Sequence, residues 1–406
     1  MTTKIAIYGA YNGTSVGDTA ILVGLLRAIS QVFPDADVTV LTQGPIDFSR
    51  DASFCGLDRP PTMVRNNVYR IAEWPLVQSL WWRLARLGLA PKIKFNKARC
   101  QSILKKQDFL IIGGGNLLMD LYETHVDTLA SVIETARSLG LPYCFAGVGA
   151  GPITGTSAAL KLTKILSGAF AVFVRDTASS TVCSEQLGAP EVKVAPDLAF
   201  GMGLHIDRLK PEHRGVLAVN VAAVGASTWP KPDDLVYQKM LNGMVRLLGT
   251  AVKRLKPTQI RIVSTNPAVD GVAARDLARL LAPILNISIE TVDCHDVTDA
   301  LDAFNNADLA ITTRLHAGIL AALSGCRVLP IAYQPKVSGV LISQGIASDT
   351  LTLADLSNAS TEFDKAIQEF PSRLTQAPDT QVTALVADLV KASQSKVPTE
   401  KSELSL

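Results

Sequence analysis

The stretch Asp308–Gly325, DLAITTRLHAGILAALSG, passes from an apolar strand to a small-residue helix through Arg314 and His316. One is a permanent cation and the other titrates near neutral pH. A guanidinium grips carboxylate or phosphate as a fork, and an imidazole can give or take a proton. Two more cations close strand-like runs, Arg175 in AVFVRD and Lys336 in IAYQPK. Strand alternation predicts that Arg314 and His316 point to one side. Singly, each has an ordinary structural explanation: a satisfied core histidine, an ion pair between packed units, a capping Asp176 paired with Arg175. Together, at the ends of apolar strands, they describe a site for a small, strongly anionic ligand.

Glycine-rich turns end other strands. YGAYNGTSVGDTA carries Gly9, Gly13 and Gly17 into a helix that Asp18 could cap. It is neither a G-x-G-x-x-G loop nor a P-loop. It fits a flexible turn, or a backbone cradle for an anion or sugar. After DFLII come Gly113, Gly114, Gly115 and Asn116, and after FAGVG comes Ala150-Gly151-Pro152. Consecutive glycines suit a place where a ligand or another backbone comes close. Ser179 stands in the first helical turn after Arg175-Asp176, and Asp197 follows VAP.

These residues need a scaffold, and strand–helix alternation supplies one. Strands are expected at KIAIYGA, DVTVLT, DFLIIGG, PYCFAGVG, AVFVRD and EVKVAPD. The spacing predicts helices over 18–33, from about Asp127 to Gly140, over 157–169 and over 177–188. Gly201–Gly215 is polar and broken, and reads as a linker. The alternation then restarts with GVLAVNVAAVG and continues through QIRIVSTN, ISIETVDC, DLAITT and RVLPIAYQ. The expected class is α/β, with two doubly wound, Rossmann-like domains facing a cleft. The boundaries are 1–200, a linker over 201–215, a second domain over 216–350, and C-terminal helices with a frayed tail over 351–406.

Composition narrows the class. The chain has 406 residues, 48% of them apolar and 19% charged, which suits large cores rather than disorder. A net charge of +2 gives no global field for nucleic acid. The six cysteines show neither a Cys-x-x-Cys pair nor zinc spacing, so a reducing cytoplasm is expected and no metal centre. No run has the length and purity of a membrane span. The segment Val68–Ala90 holds Trp74, Trp81 and Trp82 near Arg70, Arg83 and Arg86. A helix packed on the domain with snorkelling arginines explains it, and so does an interfacial face touching a membrane or a surface for stacking sugar rings.

The ordered set GTSVGDTAIL, DFLIIGGGNLLMD, FAGVGAGPI, VFVRDTAS, VAPDLAF and TTRLHAGILAALSGCRVLPIAYQPKV resembles the polysaccharide pyruvyl transferase family from about Lys4 to Gly345. The R-L-H motif followed by Y-x-P-K is its most specific part. In the first loop the family usually has N-x-G-D-E, where this chain has Ser15-Val16-Gly17-Asp18-Thr19. The resemblance implies a two-domain GT-B-like fold. It also implies transfer of a pyruvyl group from phosphoenolpyruvate to a sugar, with a ketal formed across two hydroxyls and no cofactor beyond the donor. The acceptor would be a carbohydrate, lipid-linked if the protein works at the inner face of the membrane. His316 is then the natural acid, since anions around an imidazole favour its charged form. Asp18 could take the hydroxyl proton. Arg314, Arg175 and Lys336 would hold the donor, with Ser179, Gly113, Gly114, Gly115 and Asn116 lining the site. Two other functions fit the same residues: a nucleotide-sugar glycosyltransferase of GT-B type, and a non-catalytic anion- or glycan-binding protein. The acceptor sugar and the oligomeric state are not legible.

Overall fold

The computed structural model describes residues 2–42, 46–65, 95–121, 125–189, 191–203, 215–229, 231–358, 361–374 and 378–394. The Trp-rich segment, positions 204–214 of the expected linker and the tail from 395 onward lie outside these residues.

The first sheet is parallel. It is built from β1 (Lys4–Tyr8), β2 (Asp37–Thr42), β3 (Thr62–Arg65), β4 (Phe109–Gly113), β5 (Tyr143–Val148), β6 (Val172–Val174) and β7 (Lys193–Val194), in the order β3-β2-β1-β4-β5-β6-β7. The second sheet repeats that order. Its strands are β8 (Val216–Asn220), β9 (Gln259–Ser264), β10 (Ser288–Asp293), β11 (Ala307–Thr312), β12 (Arg327–Ala332) and β13 (Leu351–Thr352), running β10-β9-β8-β11-β12-β13. β14 (Ser372–Arg373) pairs antiparallel with β12. Both are doubly wound α/β sheets, as the alternation predicts. β3 was not legible, because a four-residue TMVR after two prolines carries no period of its own.

The helix Val16–Val32 sits where the two halves meet. Its AILVGLL run is apolar almost all round, so it is buried on more than one face. It packs on the 3₁₀ turn Leu198–Met202 so closely that a Cβ on Gly24 would lie 1.9 Å from the Leu198 carbonyl oxygen. Gly201 meets the Gly24 carbonyl in the same way, and therefore belongs to this packing rather than to a linker. The helices Val297–Phe304 and Leu315–Leu323 join it in one continuous apolar cluster spanning both sheets. The last described helix, Asp379–Gln394, returns to this layer, where Thr383 Oγ1 bonds Gln31. All six cysteines are buried in the cores. Among the described residues, no helix is long and apolar enough to cross a membrane.

Candidate active site

Strand β11 stops at Thr312 because the following residues bond sideways to the loop after β8. Thr313 Oγ1 accepts the Ala222 N–H at 2.6 Å, and the Arg314 N–H donates to Asn220 Oδ1 at 3.0 Å. Arg314 is then the N-cap of the helix Leu315–Leu323, and His316 lies in its first turn. The two are therefore not on one side of a strand, as alternation predicts. The helix separates them.

Arg314 stays within its own half. Its Nε and Nη2 donate to the two oxygens of the buried Asp270 at 2.8 and 2.7 Å. Its Cζ lies 5.1 Å from the Trp229 ring and 6.0 Å from the Tyr333 ring, and Nη1 reaches Tyr333 Oη at 3.4 Å. Burial opposes its charge, but Asp270 more than compensates and holds the guanidinium above its usual range.

His316 crosses to the first half. Its Nε2 is 3.5 Å from Asp197 Oδ2, and its side chain is 17% exposed. The ring lies against the start of the helix Val16–Val32, where a Cβ on Gly17 would fall 2.5 Å from Nδ1 and 2.7 Å from Cγ. Gly17 is thus the opening that admits the imidazole. Asp197 is fully buried, caps the 3₁₀ turn through the Ala199 N–H at 3.1 Å, and meets Arg175 Nη1 at 3.2 Å. Burial works against its charge, yet His316, Arg175 and the Ala199 N–H overcome it and hold the carboxyl down at about 2.

Asp18 is half-buried beside this group and is not the helix N-cap expected from its position. Ser15 is the cap, because the Val16 N–H is satisfied by the Thr265 carbonyl of the other half at 3.0 Å, so the helix starts earlier. The Asp18 side chain is therefore released from capping. Burial pushes its carboxyl up, against the pull of His316 and Arg175. Burial, then Asp18 and Asp197, push the Tyr11 phenol up; its hydroxyl donates to the Gly113 carbonyl at 2.8 Å.

The remaining candidates divide. Gly115, at φ +71°, borders Asp18: a Cβ there would be 3.9 Å from Oδ1. Gly114, at φ +59°, leaves no room for a Cβ, which would be 2.0 Å from Ile21 Cγ2. Gly113 packs against Leu25 and Tyr11. Asn116 donates to the Gly151 carbonyl at 2.9 Å, and its Oδ1 lies over Gly149 beside the Arg175 guanidinium. Ser179 is occupied structurally, since its Oγ accepts the Ala150 N–H at 2.9 Å and its N–H bonds the capping Asp176. Lys336 falls in the first turn of the helix Pro335–Ser343, and its side chain lies outside the described residues.

The assembled group therefore holds four carboxylates, Asp18, Asp176, Asp197 and Asp270, among Arg175, Arg314 and His316. Each arginine already has a carboxylate partner, so the local field is not the cationic surplus that the cations alone suggest. Tyr11, Asp270 and Trp229 carried no signal in the sequence, and Tyr333 was visible only as part of the Y-x-P-K motif, without a role. Asp197 stood visibly at a strand end but without a role. Among the described residues no group of three or more His, Cys, Asp or Glu side chains could hold a metal ion.

A family model, polysaccharide pyruvyl transferase, matches residues 16–335, a span that contains Asp18, Arg175, Asp197, Asp270, Arg314 and His316. The chain belongs to the polysaccharide pyruvyl transferase family. No curated protein matches it. Several solved structures share its fold at low identity. The S. aureus MnaA–UDP co-structure has a TM-score of 0.58 at 10% identity, covering 98% of both chains. The Neisseria meningitidis UDP-GlcNAc 2-epimerase bound to UDP-GlcNAc has a TM-score of 0.54 at 10% identity, covering 96% of this chain and 100% of that one. Anabaena HepE in complex with UDP and glucose has a TM-score of 0.51 at 14% identity, covering 96% and 97%. The shared architecture is GT-B-like.

In this pyruvyl transferase family member a further polar contact joins the two halves. Arg50 Nη1 bonds Asp296 at 2.6 Å and Asp299 at 2.7 Å, and Asp51 accepts the Val297 N–H at 3.4 Å. Burial pushes the Asp51 carboxyl up to about 6, the Val297 N–H opposes this, and Asp296 adds to it. The folded chain therefore binds this proton more tightly than the unfolded chain does. The contribution of Asp51 to stability should fall as pH rises from about 4 to about 6. Asp51→Asn, neutral throughout, should flatten that part of the melting-temperature profile. An unchanged slope would assign it to other groups.

Proposed function

We propose that this protein transfers the pyruvyl group of phosphoenolpyruvate to two hydroxyls of a carbohydrate, forming a ketal and releasing phosphate. The observation that carries the proposal is the contact of His316 with Asp197 across the meeting of the two halves, with Asp18 beside it. One acid and one base of opposite preference are what the addition needs.

A sugar hydroxyl attacks C2 of the enol, and its proton passes to Asp18, whose raised carboxyl suits a base. The C2–C3 π electrons take a proton from His316 at C3. The C2–O bond to phosphate then breaks, the second hydroxyl closes on C2, and its proton leaves with the phosphate. Arg175 and Arg314 act as fixed donors, and their carboxylate partners hold each fork in one orientation. The donor's negative charge would be met by these guanidinium groups, His316, Lys336 and helix N-termini together.

Phosphoenolpyruvate should raise the melting temperature, since a ligand of the native state stabilises by mass action. Phosphate release should require both phosphoenolpyruvate and a carbohydrate. A shift with UDP-sugars and none with phosphoenolpyruvate would favour glycosyl transfer instead.

A further inference from the structure

We infer that Trp229 and Tyr333 form a sugar-binding corner, in which a pyranose ring of the acceptor packs on the indole beside Arg314 and Asp270. Trp229 follows β8, Arg314 follows β11 and Tyr333 follows β12, three neighbouring strands of the second sheet. They ring the point where strand order reverses, the place beyond the carboxyl ends where ligands enter doubly wound sheets. Both aromatic residues are half-buried rather than sealed in the core.

The chemistry there suits a neutral polyol. Asp270, fully buried, meets Arg314 with both oxygens, offsets its charge and fixes the guanidinium in one orientation. A C–H face packed on the indole needs no charge, and hydroxyls at its edge can bond Arg314 Nη1 and Tyr333 Oη, which face each other at 3.4 Å. The two rings meet edge to face, 5.8 Å apart at 80°, and so form two walls at a right angle rather than the parallel slot that a flat base would fill. A chair-shaped ring can lay its C–H face on one wall and turn its hydroxyls toward the other. The corner is also preorganised. Arg314 stacks over both rings, Thr228 Oγ1 bonds the Val269 carbonyl at 2.8 Å, and the Asp233 N–H bonds Gly225 O at 2.8 Å. Rigid walls lower the entropy lost on binding.

That the bound sugar is the acceptor rests on the pyruvyl-transfer proposal; the corner itself does not. The test is saturation-transfer NMR on the full chain with methyl β-D-galactopyranoside, methyl β-D-glucopyranoside and methyl α-D-mannopyranoside, with UDP as comparator. At least one hexoside should bind the wild type. Trp229→Ala should weaken it roughly tenfold or more, and Trp229→Phe much less. Trp229→Leu, which fills the space without a π face, should match the alanine variant and guards against a folding defect. The melting shift with phosphoenolpyruvate should persist in the leucine variant. No hexoside signal in the wild type, wild-type affinity in the leucine variant, or Trp229-dependent binding of UDP alone would each overturn the corner. Hexoside binding that depends on Trp229, with no response to phosphoenolpyruvate in the wild type, would leave the corner standing and remove the donor assignment.

Discussion

His316→Asn should lower turnover by about a hundredfold or more in a protein that melts near the wild-type temperature. Asparagine keeps a polar side chain of similar reach and removes the transferable proton. The helix Leu315–Leu323 is held by its apolar face, with Leu315, Ile319 and Leu320 in the shared core, so its fold does not depend on the imidazole. The Michaelis constant for phosphoenolpyruvate should change far less than turnover, because a group acting in the transition state contributes little to ground-state binding. His316→Gln should be equally slow if the proton matters and not the hydrogen bond. Near wild-type turnover in either variant, measured as phosphate release at saturating donor, would show that His316 only fills the opening at Gly17.

The framework was legible because parallel strands buried on both faces read as short apolar runs, and FLIIG, YCFAGV and VLAVN are such runs. The cationic strand ends were legible for the same reason, since charges stand out against apolar neighbours. What pairs with them was not. Asp270 lies inside the helix Pro267–Leu281 and reads as an ordinary exposed helix residue, yet it is fully buried under Arg314. Tyr11 looks like a loop aromatic and proves to be a buried partner of Gly113. Such pairings join positions far apart in sequence, which periodicity cannot report. The divergence of Arg314 and His316 was hidden as well. It depends on where β11 ends, and that is set by Asn220 at the end of β8 and Ala222 in the loop after it. The Ser15 cap depends likewise on Thr265 of the opposite half.

Asp197 unites stability and mechanism, and its removal should carry the largest structural cost at the site. Asp197→Ala leaves Arg175, 2% exposed, with Asp176 at 3.6 Å as its remaining acid partner. Stranding a buried charge costs about 3–5 kcal/mol, so this variant should melt well below the wild type. Asp197→Asn is gentler, since its amide oxygen can still accept the Ala199 N–H. The folded carboxyl is held down at about 2, so the stability it adds is present above the ordinary value near 4 and lost as pH falls through about 2. The melting difference between wild type and Asp197→Asn should therefore be full near neutrality and shrink across that acidic window. If Asp197 acts on the reaction only by orienting His316, Asp197→Asn should slow turnover in the wild-type background and add little to His316→Asn. If it serves the fold alone, turnover per folded molecule should be unchanged in Asp197→Asn. If it touches the substrate independently, the two losses should multiply. The contact spans the two halves, so the first outcome would mean that the acid is correctly held only while the halves stay together, and Arg50→Ala, at a further contact between them, should then weaken turnover as well.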